Sequence, residues 1–263
     1  MKESKVLRRW REKKTAVCAL LNLADPMLTE TVSQLPFVDC VWFDLEHGPM
    51  SVETAYDLMR TVRLAGCDVL ARPGKGEFMR MGRMLEAGAS GIMYPRCESV
   101  EDAREFVRWA KFPSLGERGF TGINADAHYR MADMGEYLET ANRETFLCPM
   151  IESPTALKCA RAIAEVEGID MLFFGPGDYA SLSGLRKPLD HSLVVAACEE
   201  ACKAALAAGK RFGSLAFTEE HARKLLDMGA TFLVCYSDTH ALQTSFLKFQ
   251  KELVSLRLFR HAE

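Results

Sequence analysis

Residues 146–178, FLCPMIESPTALKCARAIAEVEGIDMLFFGPGD, hold two short apolar runs, Phe146–Ile151 and Met171–Phe174, separated by one amphipathic stretch, Pro154–Glu165. Each run is short enough for a strand and ends in a polar turn, Glu152-Ser153-Pro154 after the first and Gly175-Pro176-Gly177-Asp178 after the second. A strand, a crossover helix and a second, parallel strand is the arrangement such a pattern specifies.

The alternation continues in both directions. Further runs are Ala16–Leu21, Val38–Asp44, Asp68–Ala71, Gly91–Tyr94, Arg211–Leu215 and Thr231–Tyr236, eight in all. Helical stretches at Val52–Leu64, Phe78–Ala87, Val100–Ala110, Leu193–Ala208, Glu219–Asp227 and Leu242–Leu256 lie between or after them. Eight strand and helix units in about 250 residues predict an α/β fold, a (β/α)8 TIM barrel. An open doubly wound sheet more often carries a glycine-rich phosphate turn after its first strand; here that position reads Asn22-Leu23-Ala24-Asp25-Pro26. Residues 3–14 read as a helical lead-in, and Lys111–Arg143, with Pro113, Gly116, Gly119 and Gly122, is the one long break in the rhythm. Connections of that length are more often functional than idle. No repeat or linker divides the chain, so residues 1–263 are expected to form one domain.

Composition narrows the function. At 48% hydrophobic and 26% charged residues the chain is built to fold, and a formal charge of −3 argues against a nucleic-acid surface. No window approaches the roughly 18 apolar residues of a membrane span, and the polar, basic N-terminus lacks the apolar core of a signal peptide. The nine cysteines, an odd number without a C-x-x-C pair, read as reduced thiols. A cytoplasmic protein is expected. Cys198 and Cys202 fall one helical turn apart, which leaves open a soft-metal site short of further ligands.

In such barrels chemistry occurs at the C-terminal strand ends. The residues there are Asp44, Glu46 and His47 after the second run, Arg72 after the third, Arg96 after the fourth, Glu152 after the fifth, Asp178 after the sixth, and Ser237 and Asp238 after the eighth. Glu152 and Asp178 follow consecutive strands, and two carboxylates without sulfur suit Mg2+ or Mn2+, with Co2+ a further candidate. They serve equally as caps of the helices they precede. Arg72 could balance charge on a reacting oxygen or form a rim salt bridge with Asp44 or Glu46. The Gly175–Asp178 turn is either an anion seat or an ordinary loop. His47 alone among six histidines stands where a proton-transfer group is expected; His128 lies in the long loop, and His191, His221, His240 and His261 read as solvated. The runs contain no lysine, which argues against an imine mechanism.

The segments Phe43–Pro49, Ala71-Arg72-Pro73, Leu85–Pro95, Gly116-Glu117-Arg118-Gly119, Ile151-Glu152-Ser153, and Gly168-Ile169-Asp170 through Phe174–Asp178 resemble the HpcH/HpaI aldolases, the metal-dependent class II pyruvate aldolases. The likeness runs from about residue 15 to about residue 255. It implies that Glu152 and Asp178 are metal ligands, that Arg72 steadies a pyruvate enolate, and that His47 exchanges the proton at the aldehyde-derived oxygen. It also implies a catalytic place for Asp44 and a substrate lining that includes Gly177, Asp178, Arg72, Met150, Ser214 and Leu215. The implied reaction is reversible retro-aldol cleavage of a 4-hydroxy-2-oxo acid to pyruvate and an aldehyde, by a homohexamer whose sites a neighbouring subunit completes.

Two positions depart from the pattern. Met150 stands where the family commonly has glutamine, and a thioether donates no hydrogen bond. Glu86 stands where an aspartate normally partners the histidine, often across a subunit boundary. A citrate-lyase-β-like acyl-CoA lyase and a non-catalytic barrel that binds metal and a 2-oxo acid are the alternatives.

Overall fold

Eight parallel strands pair in sequence order and close β8 onto β1. In this computed structural model, described over residues 3–130, 133–186 and 191–255, they are β1 (Ala16–Leu21), β2 (Cys40–Asp44), β3 (Asp68–Arg72), β4 (Gly91–Tyr94), β5 (Phe146–Ile151), β6 (Met171–Phe174), β7 (Arg211–Ala216) and β8 (Phe232–Ser237). The predicted (β/α)8 barrel is therefore the observed fold. Four strands match the sequence reading to the residue. β2 starts later than expected because Val38 is still in a turn, its N–H donating to Leu35 O at 3.0 Å.

The helices are α1 (Lys5–Arg11), α2 (Pro26–Ser33), α3 (Val52–Leu64), α4 (Phe78–Ala87), α5 (Val100–Ala110), α6 (Met134–Glu144), α7 (Pro154–Lys158), α8 (Ala160–Ala164), α9 (Pro176–Leu182), α10 (Ser192–Ala207), α11 (Glu219–Met228) and α12 (Asp238–Ser255). Serine or threonine caps start several of them: Ser51, Ser99, Ser153 and Thr218 each accept the N–H three residues on. The expected Pro154–Glu165 helix breaks at Cys159, whose ψ of 11° leaves the helical region. The long break contains α6 and a 3-10 turn at His128–Arg130. α12 begins directly off β8, four residues earlier than expected, while Leu256 and His261 lie outside the described residues, as do both ends of the 1–263 domain.

Side-chain alternation divides the core into two layers. Cys40 and Trp42 of β2, Leu70 of β3, Cys148 and Met150 of β5, and Phe173 of β6 fill the barrel interior. Val41, Phe43, Val69, Leu147, Leu172 and Phe174 face the helices. The lead-in helix plugs the N-terminal end. Trp10 meets Phe146 and Phe232 edge-on at 5.6 and 6.2 Å and donates its indole N–H to Thr231 O at 2.9 Å. Trp10→Ala opens a cavity there and is expected to cost about 3–5 kcal/mol, seen as a lower urea midpoint at unchanged m-value.

Candidate active site

The period of two that builds the interior also aims the next residue of each strand at the C-terminal mouth. Above Trp42 stands Asp44, above Leu70 stands Arg72, above Met150 stands Glu152, and above Phe173 stands Gly175. Asp44 and Arg72 are Cα partners across β2 and β3, so their side chains meet side by side. Arg72 Nε donates to Asp44 Oδ1 at 2.9 Å and Nη2 to Asp44 Oδ2 at 2.5 Å. Both residues are buried, and this fork-on-carboxylate pairing is the geometry that offsets the cost of burying them. Below, the guanidinium carbon lies 4.8 Å from the Trp42 ring centroid. Nη1 donates to Met150 Sδ at 3.6 Å.

Asp44 also shapes the following loop. Its Oδ1 accepts the backbone N–H of Glu46 at 3.1 Å and of His47 at 3.3 Å. The turn so formed places Glu46 Oε2 3.3 Å from Arg72 Nε and 3.7 Å from His47 Nε2. Burial pushes the half-buried Glu46 carboxyl up, against the pull of Arg72. The His47 side chain is 64% exposed, open to whatever enters the mouth.

Glu152 is buried on the far side. Oε1 accepts the Arg96 N–H at 2.6 Å, and Arg96 holds the left-handed φ of 51° in doing so. Oε2 is buried with no hydrogen-bond partner. Its space exists because residue 175 is glycine: a Cβ there would stand 2.6 Å from Oε2. Burial pushes the Glu152 carboxyl up to about 7, and the neighbouring Asp178 adds to the rise, against the Arg96 N–H. Asp178 is half-buried in the first turn of α9, beside the exposed Gly177.

The mouth thus gathers Asp44, Arg72, His47, Met150, Glu152 and Asp178. Of the two weighed readings of Arg72, the rim salt bridge is the one seen, since it pairs with both Asp44 and Glu46. Ser214 shares the outward parity of Phe212 and Ala216 and spends its hydroxyl on Phe174 O at 2.9 Å, whereas Leu215, the inward position after Gly213, packs against the interior layer level with Gly175. Glu86 sits in the last turn of α4, which leads to the opposite end of the barrel; burial raises its carboxyl against Arg118 and Arg83. Within the protomer the carboxylate beside His47 is Glu46. The sequence reading gave Glu46 a role only as a possible salt-bridge partner of Arg72, and it gave none to Trp42 or the Arg96 N–H. Trp42 was findable from its parity with Asp44.

Among the described residues no group of three or more His, Cys, Asp and Glu side chains is arranged to hold a metal, which includes Cys198 and Cys202 on α10. The Cys202 thiol instead lies 3.4 Å from Met228 O. His221 is half-buried, where solvation was expected.

A closed parallel barrel with an arginine and several carboxylates at its C-terminal mouth is the frame of a barrel enzyme, and the comparisons make its class that of the carbon–carbon lyases. The chain is a member of the HpcH/HpaI aldolase/citrate lyase family, whose sequence model matches residues 18–244. It is 32% identical over 226 residues to a hydroxypyruvate/pyruvate aldolase of Delftia acidovorans, covering 86% of this chain and 83% of that one. It is 32% identical over 201 residues to a 2-keto-3-deoxy-L-rhamnonate aldolase of Klebsiella pneumoniae, covering 76% and 75%. The crystal structure of an HpcH/HpaI aldolase from Desulfitobacterium hafniense superposes with a TM-score of 0.87 at 28% identity, over 98% of both chains.

The raised Glu152 carboxyl has a signed consequence. Because its folded value of about 7 exceeds the ordinary 4.5, the folded chain holds the extra proton between those limits. The associated stability is full below the lower limit and is lost as pH rises through the upper one. Glu152→Gln keeps an oxygen for the Arg96 N–H and should flatten this loss in metal-free protein, as read from urea midpoints between about pH 4 and pH 8. An unchanged slope would assign the proton to another group.

Proposed function

We propose that the chain catalyses reversible retro-aldol cleavage of a 4-hydroxy-2-oxo acid to pyruvate and an aldehyde, with a divalent cation, Mg2+, Mn2+ or Co2+, held by Glu152 and Asp178. The observation that carries the reading is the buried, partnerless Oε2 of Glu152 with a second carboxylate beside it. Two oxygen ligands leave room for water and substrate, as hard divalent ions require. The donor set therefore fits the ion. When bound, it supplies the positive charge that polarises a 2-oxo acid.

The chain's own groups do the rest. The Gly177–Asp178 turn receives the acid's carboxylate. Arg72, held on two sides by Asp44 and Trp42, presents the remaining N–H bonds of its guanidinium to the keto oxygen. When the C3–C4 bond breaks, its electron pair passes to C3 and the keto oxygen gains enolate charge, which Arg72 stabilises. The 4-hydroxyl proton passes to a base at His47, whose imidazole Glu46 steadies, and C4 becomes the aldehyde carbon. C3 then takes a proton to become the pyruvate methyl. The family relationship and the activities of the two similar aldolases support this reading.

The same reading extends to assembly. α12 leaves Leu242, Phe246, Leu247 and Phe249 exposed, an apolar surface suited to a second copy of the chain. A homohexamer, as the resemblance implies, would allow Glu86 of one copy to approach His47 of another. Cytoplasmic residence accords with nine free cysteines, and among the described residues no helix is long and apolar enough to cross a membrane.

With Mn2+ present, the methyl protons of pyruvate should exchange with deuterated solvent, followed by NMR. Glu152→Gln should abolish both exchange and tight Mn2+ binding. Arg72→Lys removes the fork and should slow exchange by about a hundredfold or more while Mn2+ affinity stays nearly constant. Binding of pyruvate without exchange in the unaltered protein would indicate the non-catalytic alternative. Phe246→Asp combined with Phe249→Asp should lower the sedimenting mass; an unchanged mass would remove α12 from the interface.

A further inference from the structure

Met150 lies between the two charged halves of the mouth. Its sulfur is 3.6 Å from Arg72 Nη1. Its terminal methyl is 3.1 Å from the point a Cβ on Gly175 would occupy, the same point that lies 2.6 Å from Glu152 Oε2. The side chain is 3% exposed, and the interior layer around it is aromatic and aliphatic: Trp42, Leu70 and Phe173. Trp42 faces Arg72 and meets Phe173 edge-on at 5.9 Å.

We infer that Met150 is a specificity-determining residue that selects a 2-oxo acid with an unsubstituted methyl at C3 over one with a C3 hydroxyl. The inference rests on the retro-aldol reading above and adds to it the identity of the donor acid. A keto oxygen that accepts from Arg72 and faces a cation held by Glu152 and Asp178 would bring the acid's C3 against the Met150 thioether. A methyl gains contact there. A hydroxyl gives up water for a sulfur that accepts weakly and donates nothing. An apolar wall rejects an added hydroxyl only modestly, by about a hundredfold at most, so the preference is graded. The thioether also leaves Arg72 Nη1 weakly engaged, free for the oxygen that gains charge. An amide at this position would offer that N–H a stronger acceptor and give a C3 hydroxyl a partner.

The test compares pyruvate with hydroxypyruvate on the Mn2+-loaded protein by two readouts: kcat/KM for addition to one common aldehyde, and Kd by calorimetry. The unaltered protein should favour pyruvate by about ten- to a hundredfold in kcat/KM and in the same direction in Kd. Met150→Leu should keep that preference, and Met150→Gln should cut it by about tenfold. Equal use of the two acids, or a preference untouched by Met150→Gln in protein that melts normally, would overturn the inference. Trp42 Nε1 is buried without a hydrogen-bond partner; a hydroxypyruvate preference that vanishes in Trp42→Phe would overturn it as well, assigning the hydroxyl to the indole. Failure of the underlying reading looks different: no turnover of either acid. The Kd ratio then still decides the role of Met150, and absence of binding by both acids overturns both readings.

Discussion

In a closed sheet of parallel strands every strand ends on the same side, and that constraint produces the site. Side chains alternate with a period of two, so an interior packed with Trp42, Leu70, Met150 and Phe173 obliges the next inward positions, Asp44, Arg72, Glu152 and Gly175, to converge at the mouth. No loop has to reach across the barrel to bring an acid from β5 near a base from β3. The aromatic and aliphatic layer beneath also excludes water, which strengthens each electrostatic contact above it.

That strengthening has a cost, visible in how the charges are paired. Arg72 and Asp44 are buried together, bidentate, with Trp42 against the cation face. The same Asp44 oxygen gathers two backbone N–H groups, so one carboxylate both neutralises the arginine and folds the loop that carries Glu46 and His47. Truncating it would strand a buried guanidinium and release the loop in one stroke. Positioning and electrostatics are not separable at this residue.

The barrel was legible because its signal is local. Run length and polar punctuation fix a strand without knowledge of its neighbours, and β1, β4, β5 and β6 were bounded to the residue. Elements that depend on tertiary context were harder. Val38 is apolar yet turns before the strand, and α6 lay unseen in a segment whose glycines and proline pointed to a loop. At the site, residue identities were readable from their place after each run, but pairings were not. Nothing in the order of residues 44–47 tells that Glu46, rather than Glu86, stands beside His47 in one protomer. The outward turn of Ser214 follows from its parity with Phe212 and Ala216. The Arg96 contribution is a backbone N–H, which no side-chain pattern encodes.

The charge count of the mouth explains why one oxygen is left over. Asp44, Glu46, Glu152 and Asp178 bring four carboxyl groups around one guanidinium. Arg72 turns its fork to Asp44 and its Nε edge toward Glu46, so Glu152 feels it only at a distance and relies on the Arg96 N–H for one of its oxygens. The other oxygen faces Gly175, a position where any side chain would fill the space. A carboxyl buried in this way either keeps a proton or meets a cation. Burial raises this carboxyl to about 7, and on the reading proposed above a divalent ion shared with Asp178 would satisfy both acids at once. The acid excess that destabilises the mouth by itself is thus the feature that, on that reading, suits it to a cation beside Arg72.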